Sequence, residues 1–237
     1  MNTLKQRSYQ PEQLDQLDLS GERLHTCLDE LAMINRLLGN HRAIKKAVNR
    51  FLSKAPDKHW KIVDLGCGGG DVLRMIEQLC RAKSISVECL GLDGNGHSLA
   101  YARTQTDKQA SIHYQAIDIF DPAFVLPACD LLISSHFLYH LSDQAFLSFL
   151  HQHSAKVKVA WIISELERNQ IALTLFRIFS PLMGLSKLTR SDGMLAIRRA
   201  FSISEIRHLL RASQWPEAQL SRVWAFRFIL LLNSPNP

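Results

Sequence analysis

The chain has 237 residues, is 46% hydrophobic and 21% charged, and carries a formal net charge of +6. That is an ordinary globular balance, long enough for one α/β domain with additions and an ample core. It excludes low-complexity classes, and no apolar run approaches the length of a membrane span. Lys and Arg are scattered, with no run of five or six. The positive charge therefore permits an anionic partner, but it lacks the clustering of a nucleic-acid footprint. Five cysteines, Cys27, Cys67, Cys80, Cys89 and Cys129, are odd in number and form no C-x-x-C pair. They read as free thiols in a reducing, cytoplasmic setting and argue against a metal site. Residues 1–10 lack the apolar core of a signal peptide.

Residues 1–20 are polar and predict a mobile start. Ser20 is placed to cap a first helix, whose stripe of Leu24, Leu28, Leu31 and Leu38 is widened by Met33 and Ile34 and stopped by Gly39-Asn40. A second helix runs from His41 with Ile44, Val48, Phe51 and Leu52 on its apolar side, and Ala55-Pro56-Asp57 breaks it. Residues 1–57 thus form a helical cap, either a cover for one sheet face or a lid over a site. In the remaining domain, 58–237, strands at 60–65, 86–92, 111–116, 130–134 and 157–164 alternate with helices at 71–82, 96–106 and 142–153. Alternation of this kind implies a parallel sheet with helices on both faces.

A helical insertion near 169–190, interrupted by Pro181 and Gly184, carries too many apolar residues for one helix face. It reads either as a wall over a substrate cavity or as an ordinary buried helix. A further helix over 204–212 has Ser202 as cap and Glu205 as its partner. Strands at 219–223 and 227–232 close the chain.

The chemistry gathers at Asp64-Leu65-Gly66-Cys67-Gly68-Gly69-Gly70-Asp71, between the first strand and its helix. Strand, glycine turn and helix make a nucleotide site at the C-terminal edge of a parallel sheet. A phosphate loop would end in Gly-Lys-Ser/Thr, which is missing. A dinucleotide fingerprint would have glycine where Asp71 stands. Asp93 ends the second strand, where an acid accepts hydrogen bonds from ribose hydroxyls. Ser134-Ser135-His136-Phe137-Leu138-Tyr139-His140 follows the fourth strand. His136, Tyr139 and His140 fall near one side of it, and an imidazole there could take a proton from a hydroxyl.

The glycine turn resembles motif I of class I S-adenosylmethionine (SAM)-dependent methyltransferases. The resemblance implies a seven-stranded, mostly parallel Rossmann-like sheet and SAM as cofactor. It implies that Asp64 meets the methionyl end, with Gly66, Cys67, Gly68 and Gly70 forming the turn. Asp93 with Gly94 would take the ribose, Asp118 with Ile119 the adenine, and Ser134 would complete the set. The reactive methyl in this superfamily faces the loop holding His136, Tyr139 and His140. No Asn-Pro-Pro-Tyr-like element and no catalytic cysteine motif of the nucleic-acid methyltransferases is present, which favours a small-molecule acceptor.

Residues 31–42 and 188–202 further resemble bacterial methyltransferases encoded beside type III polyketide synthases, relatives of the ubiquinone and menaquinone enzymes. The chain departs from that family at Tyr139, where a His-His pair is usual. The expectation is methyl transfer to the hydroxyl or carbon of a small phenolic, quinol or polyketide-like metabolite. Arg198 and Arg199 would be near enough to the cavity to hold a carboxylate or phenolate. The alternatives are an RNA methyltransferase, with Arg190, Arg198 and Arg199 lining a groove, or a non-catalytic partner subunit of the same fold.

Overall fold

A computed structural model describes residues 4–213, 215 and 218–234. In chain order the elements are α1 (Gly21–Leu37), α2 (Asn40–Leu52), β1 (Trp60–Leu65), α3 (Asp71–Ala82), β2 (Val87–Asp93), α4 (Gly96–Thr104), β3 (Ile112–Ala116) and β4 (Cys129–Ser135). There follow α5 (Asp143–His153), β5 (Val157–Leu166), α6 (Gln170–Leu182), α7 (Lys187–Arg199), α8 (Ile203–Ser213), β6 (Ala218–Val223) and β7 (Arg227–Asn233). The strands form one seven-stranded sheet in the order β3-β2-β1-β4-β5-β7-β6. The first five are parallel, and β7 runs antiparallel to both β5 and β6.

Strand alternation sends side chains to two cores. Ile62, Leu131, Ile133 and Ile162 meet Ile44, Val48 and Phe51 of α2 and Val72 and Ile76 of α3 on one face. Val63, Leu65, Leu132, Trp161 and Phe228 meet Phe146 and Phe149 of α5 and Ile206 and Leu209 of α8 on the other. Buried on both sides, β4 and β7 are nearly continuous apolar runs. The glycine that starts α2, Gly39, has φ +82°, which explains why the stop and the next start share one residue. At α8 the Ser202 Oγ accepts from the Glu205 N–H, while a Glu205 carboxylate oxygen accepts from the Ser202 N–H at 2.7 Å. That is the reciprocal cap the sequence predicts.

Two segments differ from the reading of the sequence. The polar start is packed rather than loose. Arg7 is buried, donates to the carbonyls of Tyr139, Leu141 and Arg199 at 2.9–3.0 Å, pairs with Asp143, and lies 3.5 Å above the Phe201 ring centre. These partners are far away in sequence, so local composition cannot reveal them. The insertion is two helices, with α7 continuing to Arg199. Gly193 sits inside α7 because a Cβ there would lie 2.4 Å from the Phe176 ring of α6. Among the described residues no helix is long and apolar enough to cross a membrane.

Candidate active site

A continuous cavity of about 910 Å³ opens along the C-terminal edge of the sheet. One end is the turn between β1 and α3. Gly66, Gly68 and Gly70 all have left-handed φ, +66°, +50° and +72°, so the chain reverses there without side-chain clash. The turn is locked to β2: the N–H groups of Gly66 and Cys67 bond the Leu92 carbonyl, and Gly68 N–H donates to Asp93 Oδ2 at 2.9 Å. Asp93 Oδ1 accepts from Asn95 N–H at 2.8 Å. Burial pushes the Asp93 carboxyl up, against the pull of these two donors. Each oxygen retains acceptor capacity toward the cavity.

Asp64 is buried at the end of β1, and its Oδ1 has no hydrogen-bond partner among the described residues. Burial, then the charges of Asp71 and Asp93, drive its carboxyl well above the usual range. Asp71 also feels burial, but His41 at 2.7 Å and Asn35 at 3.1 Å hold its carboxyl below that range. An orphaned carboxylate oxygen beside a glycine cradle suits a cationic amine, such as that of a methionyl group. Farther along, Gly94, Asp118 and Ile119 line the cavity, and Phe120 stacks on Phe137 with ring centres 5.9 Å apart. Asp118 Oδ1 accepts from the Phe120 N–H. The residues present therefore fit a nucleoside with a cationic amino-acid tail.

Two residues assigned to this end by sequence fall outside the cavity lining. Ser134 is fully buried and its Oγ accepts from the Trp161 indole at 3.1 Å; one position on, strand alternation turns Ser135 to the cavity. Gly70 supports the turn from behind, against Tyr114. Asp64, Gly66, Cys67, Gly68, Asp93, Gly94, Asp118 and Ile119 do come together.

The other end is apolar and built from separated segments. Leu31 and Ile34 of α1, Leu175, Phe176 and Phe179 of α6, Met183 just after it, Ile197 of α7 and Trp224 of the β6–β7 turn line it. Residues 12–17 add Glu12, Leu14, Asp15 and Leu17. His136, Tyr139 and His140 sit between the two ends, each already bonded. Arg227 Nη1 donates to His136 Nε2 at 2.7 Å. Arg199 Nη2 donates to His140 Nδ1 at 3.0 Å, and the His140 ring also bonds the His136 backbone. The Tyr139 hydroxyl bonds Glu12.

Burial sets the titration of this group. It lowers His136 well below its ordinary value, helped by Arg227 and His140. It lowers His140 to about 4, with Asp15 opposing. It raises Tyr139 well above 10, with Glu12 and Glu165 adding to the effect. Glu12 is pushed up to about 8 by burial and by Asp15, although Arg199 opposes. Both imidazoles are thus neutral near neutral pH, with the lone pair of one ring nitrogen committed to an arginine.

Arg199 does not have the role read for it in sequence. Its Nη1 lies 2.7 Å from Asp15 and 3.3 Å from Glu12, so its charge is balanced within the chain. Glu12, Asp15 and His140 have a spacing that could hold a cation, and the guanidinium reaches all three. Arg198 does not line the cavity. Arg227, which the sequence reading missed, does; only its pairing across β5 and β7 brings it there, and no local pattern marks it.

Residues 62–159 match the family described as "Methyltransferase domain". The plantazolicin methyltransferase BpumL, solved with S-adenosylhomocysteine (SAH), superposes with a TM-score of 0.68 at 13% identity over 94% of each chain. Human N-acetylserotonin methyltransferase, solved with SAM, gives 0.63 at 16% identity, covering 90% of this chain and 56% of its own. The citrinin polyketide synthase CMeT domain gives 0.57 at 11% identity, covering 80% and 51%. The chain thus spans only about half the length of two of these three structures. No curated protein matches it. At these identities the likeness is one of fold. The sheet has the seven-stranded, mostly parallel, Rossmann-like order of the class I methyltransferase fold, and residues 62–159 are similar to the methyltransferase-domain family.

Proposed function

We propose that the chain is a SAM-dependent methyltransferase acting on the hydroxyl or carbon of a small, largely apolar phenolic, quinol or polyketide-like metabolite. The observation that carries this reading is the continuity of the cavity. A glycine-and-carboxylate end fitted to a nucleoside runs directly into an apolar end walled by α1, α6 and α7. The solved structures similar in fold include enzymes named for N-acetylserotonin, magnesium protoporphyrin IX and a polyketide synthase, all small-molecule chemistry.

SAM, when bound, supplies an electrophilic methyl group on a sulfonium. Asp64 would hold its amino group, Asp93 the ribose hydroxyls and Asp118 the adenine amine, with Gly66, Cys67, Gly68, Gly94 and Ile119 shaping the cradle. Phe120 and Phe137 would exclude water at the nucleoside end. His136, through the ring nitrogen not bonded to Arg227, would orient the acceptor, with Tyr139 and His140 beside it as the wall of that end. Residues 4–19 with α1 would form the lid, since they wall the cavity from the N-terminal side. Five unpaired, buried cysteines agree with a reducing, cytoplasmic setting.

Against the RNA alternative, Arg199, one of the three arginines read as lining a groove, is buried and ion-paired. The test is mass spectrometry of reactions with labelled SAM, comparing a panel of phenolic polyketides and quinols with total RNA. Label in a phenol or quinol is expected. Label in RNA alone would overturn the small-molecule reading, and tight SAM binding with no turnover on any acceptor would favour a non-catalytic subunit.

A further inference from the structure

Four arginines are buried among the described residues, two of which, Arg199 and Arg227, line the cavity, and three of the four are paired. Arg7 meets Asp143, Arg168 meets Glu205, and Arg199 meets Asp15, each at 2.7–3.0 Å. Arg227 is the exception. It is 1% exposed, lines the cavity, and has no carboxylate within ion-pair distance among the described residues. Its Nε has no hydrogen-bond partner, and its Nη1 is engaged only by a neutral imidazole.

The nearest acid is Glu165 on β5. Its Oε1 is used by the N–H groups of Phe137 and Leu138 at 2.8 and 2.6 Å. Burial pushes Glu165 up, against the pull of these two N–H groups and of the Arg227 charge; its Oε2 has no hydrogen-bond partner among the described residues and makes no ion pair with Arg227. The other groups acting on this cluster are Tyr139, His140 and Arg7, and none of them is an anion there. Arg227 itself, lowered to about 10 by burial, remains a cation. A buried guanidinium with no carboxylate in contact and an unpartnered Nε is costly and has room for a further anion on its cavity side.

The backbone points the same way. His136 has φ +58°, and Ala225 and Phe226, immediately before Arg227, have +62° and +55°. Ala225 and Phe226 belong to the tight β6–β7 hairpin, whose short turn requires positive φ, whereas His136 adopts the left-handed region outside such a turn. Because Arg227 can only donate, His136 Nε2 must accept, and the ring proton resides on Nδ1. His136 is therefore a donor and not a base.

We propose that Arg227 and His136 form an anion-binding subsite in which the acceptor is held as a phenolate or enolate. This rests on the methyl-transfer reading and names its substrate class more closely: an acidic phenol or enol that releases its proton to water on binding, so that no side chain serves as base. Arg227 holds the charge and fixes the tautomer, and the Nδ1–H of His136 is the directional donor.

The test uses 7-hydroxycoumarin, whose fluorescence excitation reports ionisation, with saturating SAH and the whole chain. The bound probe is expected to ionise about one pH unit or more below the free probe. At a pH where the probe is ionised, 7-methoxycoumarin should bind at least about tenfold more weakly. Arg227→Met should abolish the shift and Arg227→Lys retain part of it. A wild-type midpoint at or above that of the free probe overturns the subsite, as does an undiminished shift in Arg227→Met; if that variant does not fold, the wild-type midpoint decides alone. Calorimetry with SAH separates the two levels. SAH binding without a downward shift rejects only the subsite, whereas no SAH binding by the wild type rejects the methyl-transfer reading itself.

Discussion

The two ends of the cavity are assembled differently. At the end proposed for the nucleoside, the groups sit on two consecutive strand–helix units, from Asp64 to Asp71 and from Asp93 to Asn95, and backbone N–H groups hold Asp93 and the glycine turn. Its Asp64 oxygen is left open. At the end proposed for the acceptor, Glu12, Tyr139 with His140, and Arg199 come from three separated segments and satisfy one another through side chains. A site held by local backbone depends on a few conformations that only some residues adopt. One held by distant side chains depends on docking of the N-terminal segment and α7, and on which groups carry protons.

The sharpest break of that contrast is at glycine. Gly70 and Gly184 have nearly the same φ, +72° and +71°, but a Cβ on Gly70 would meet the Tyr114 hydroxyl at 2.3 Å while one on Gly184 meets nothing within 4 Å. Gly184→Ala should cost about 1 kcal/mol, the left-handed penalty alone. Gly70→Ala adds a clash under the turn and should cost roughly 2–4 kcal/mol and weaken SAH binding as well. Urea unfolding of both variants measures the difference. Equal losses would mean that the turn is not the rigid element described above.

Next in size is Asp93→Ala. It removes the acceptor for the Gly68 and Asn95 N–H groups and the carboxylate facing the cavity. The expected loss of SAH affinity is about 1.5–3 kcal/mol by calorimetry. Arg227→Met should leave SAH affinity within about threefold, less than 1 kcal/mol. If the arginine mattered as much as the acid, the two ends would not be separable.

The same division decided what could be read from sequence. Asp64 to Asp71 were legible because strand, turn and helix follow in one short stretch. Trp60–Leu65 and Asp71–Ala82 came out with the observed bounds because apolar pattern and glycine punctuation coincide there. Ser134 was misplaced by one residue, since pattern finds a strand but not which of its last residues leaves the core. Arg7 looked like part of a loose tail because its partners are 132 to 192 positions away. Arg227 opens a strand that reads as ordinary β, and its meaning appears only when β7 lies beside β5.

Protonation offers a milder lever on the acceptor end. His140 is held at about 4 in the folded chain against an ordinary 6.5. The unfolded chain therefore takes up a proton first as pH falls, and stability should decline from about pH 6.5 toward 4, by an amount of order 3 kcal/mol. His140→Gln should flatten that limb. Glu12, held at about 8, acts with the opposite sign: the folded chain keeps its proton, so stability declines as pH rises from about 4.5 to 8. Asp71, lowered at the nucleoside end, contributes stability above the ordinary carboxylate range, lost only as pH falls through its depressed value. Thermal melts of wild type, His140→Gln and Asp71→Asn across pH check these assignments. An unchanged acid limb in His140→Gln would show that its ring is not the proton acceptor.

The smallest effect belongs to the outer face of α6. Leu182 is 76% exposed and does not line the cavity, whereas Phe179, three residues earlier on the same helix, does. Removing apolar area that already faces water costs little, so Leu182→Gln should change stability and SAH affinity by less than about 0.5 kcal/mol. Phe179→Ala should leave SAH affinity equally untouched, because the ring lies among the apolar residues of the far end. It should raise KM for the acceptor roughly tenfold or less, the range for losing part of one aromatic contact. Measuring both variants against both ligands isolates the α6 wall. If Leu182→Gln raised the acceptor KM as much as Phe179→Ala, the acceptor would contact the outer face of α6, and the cavity boundary described above would have to move outward.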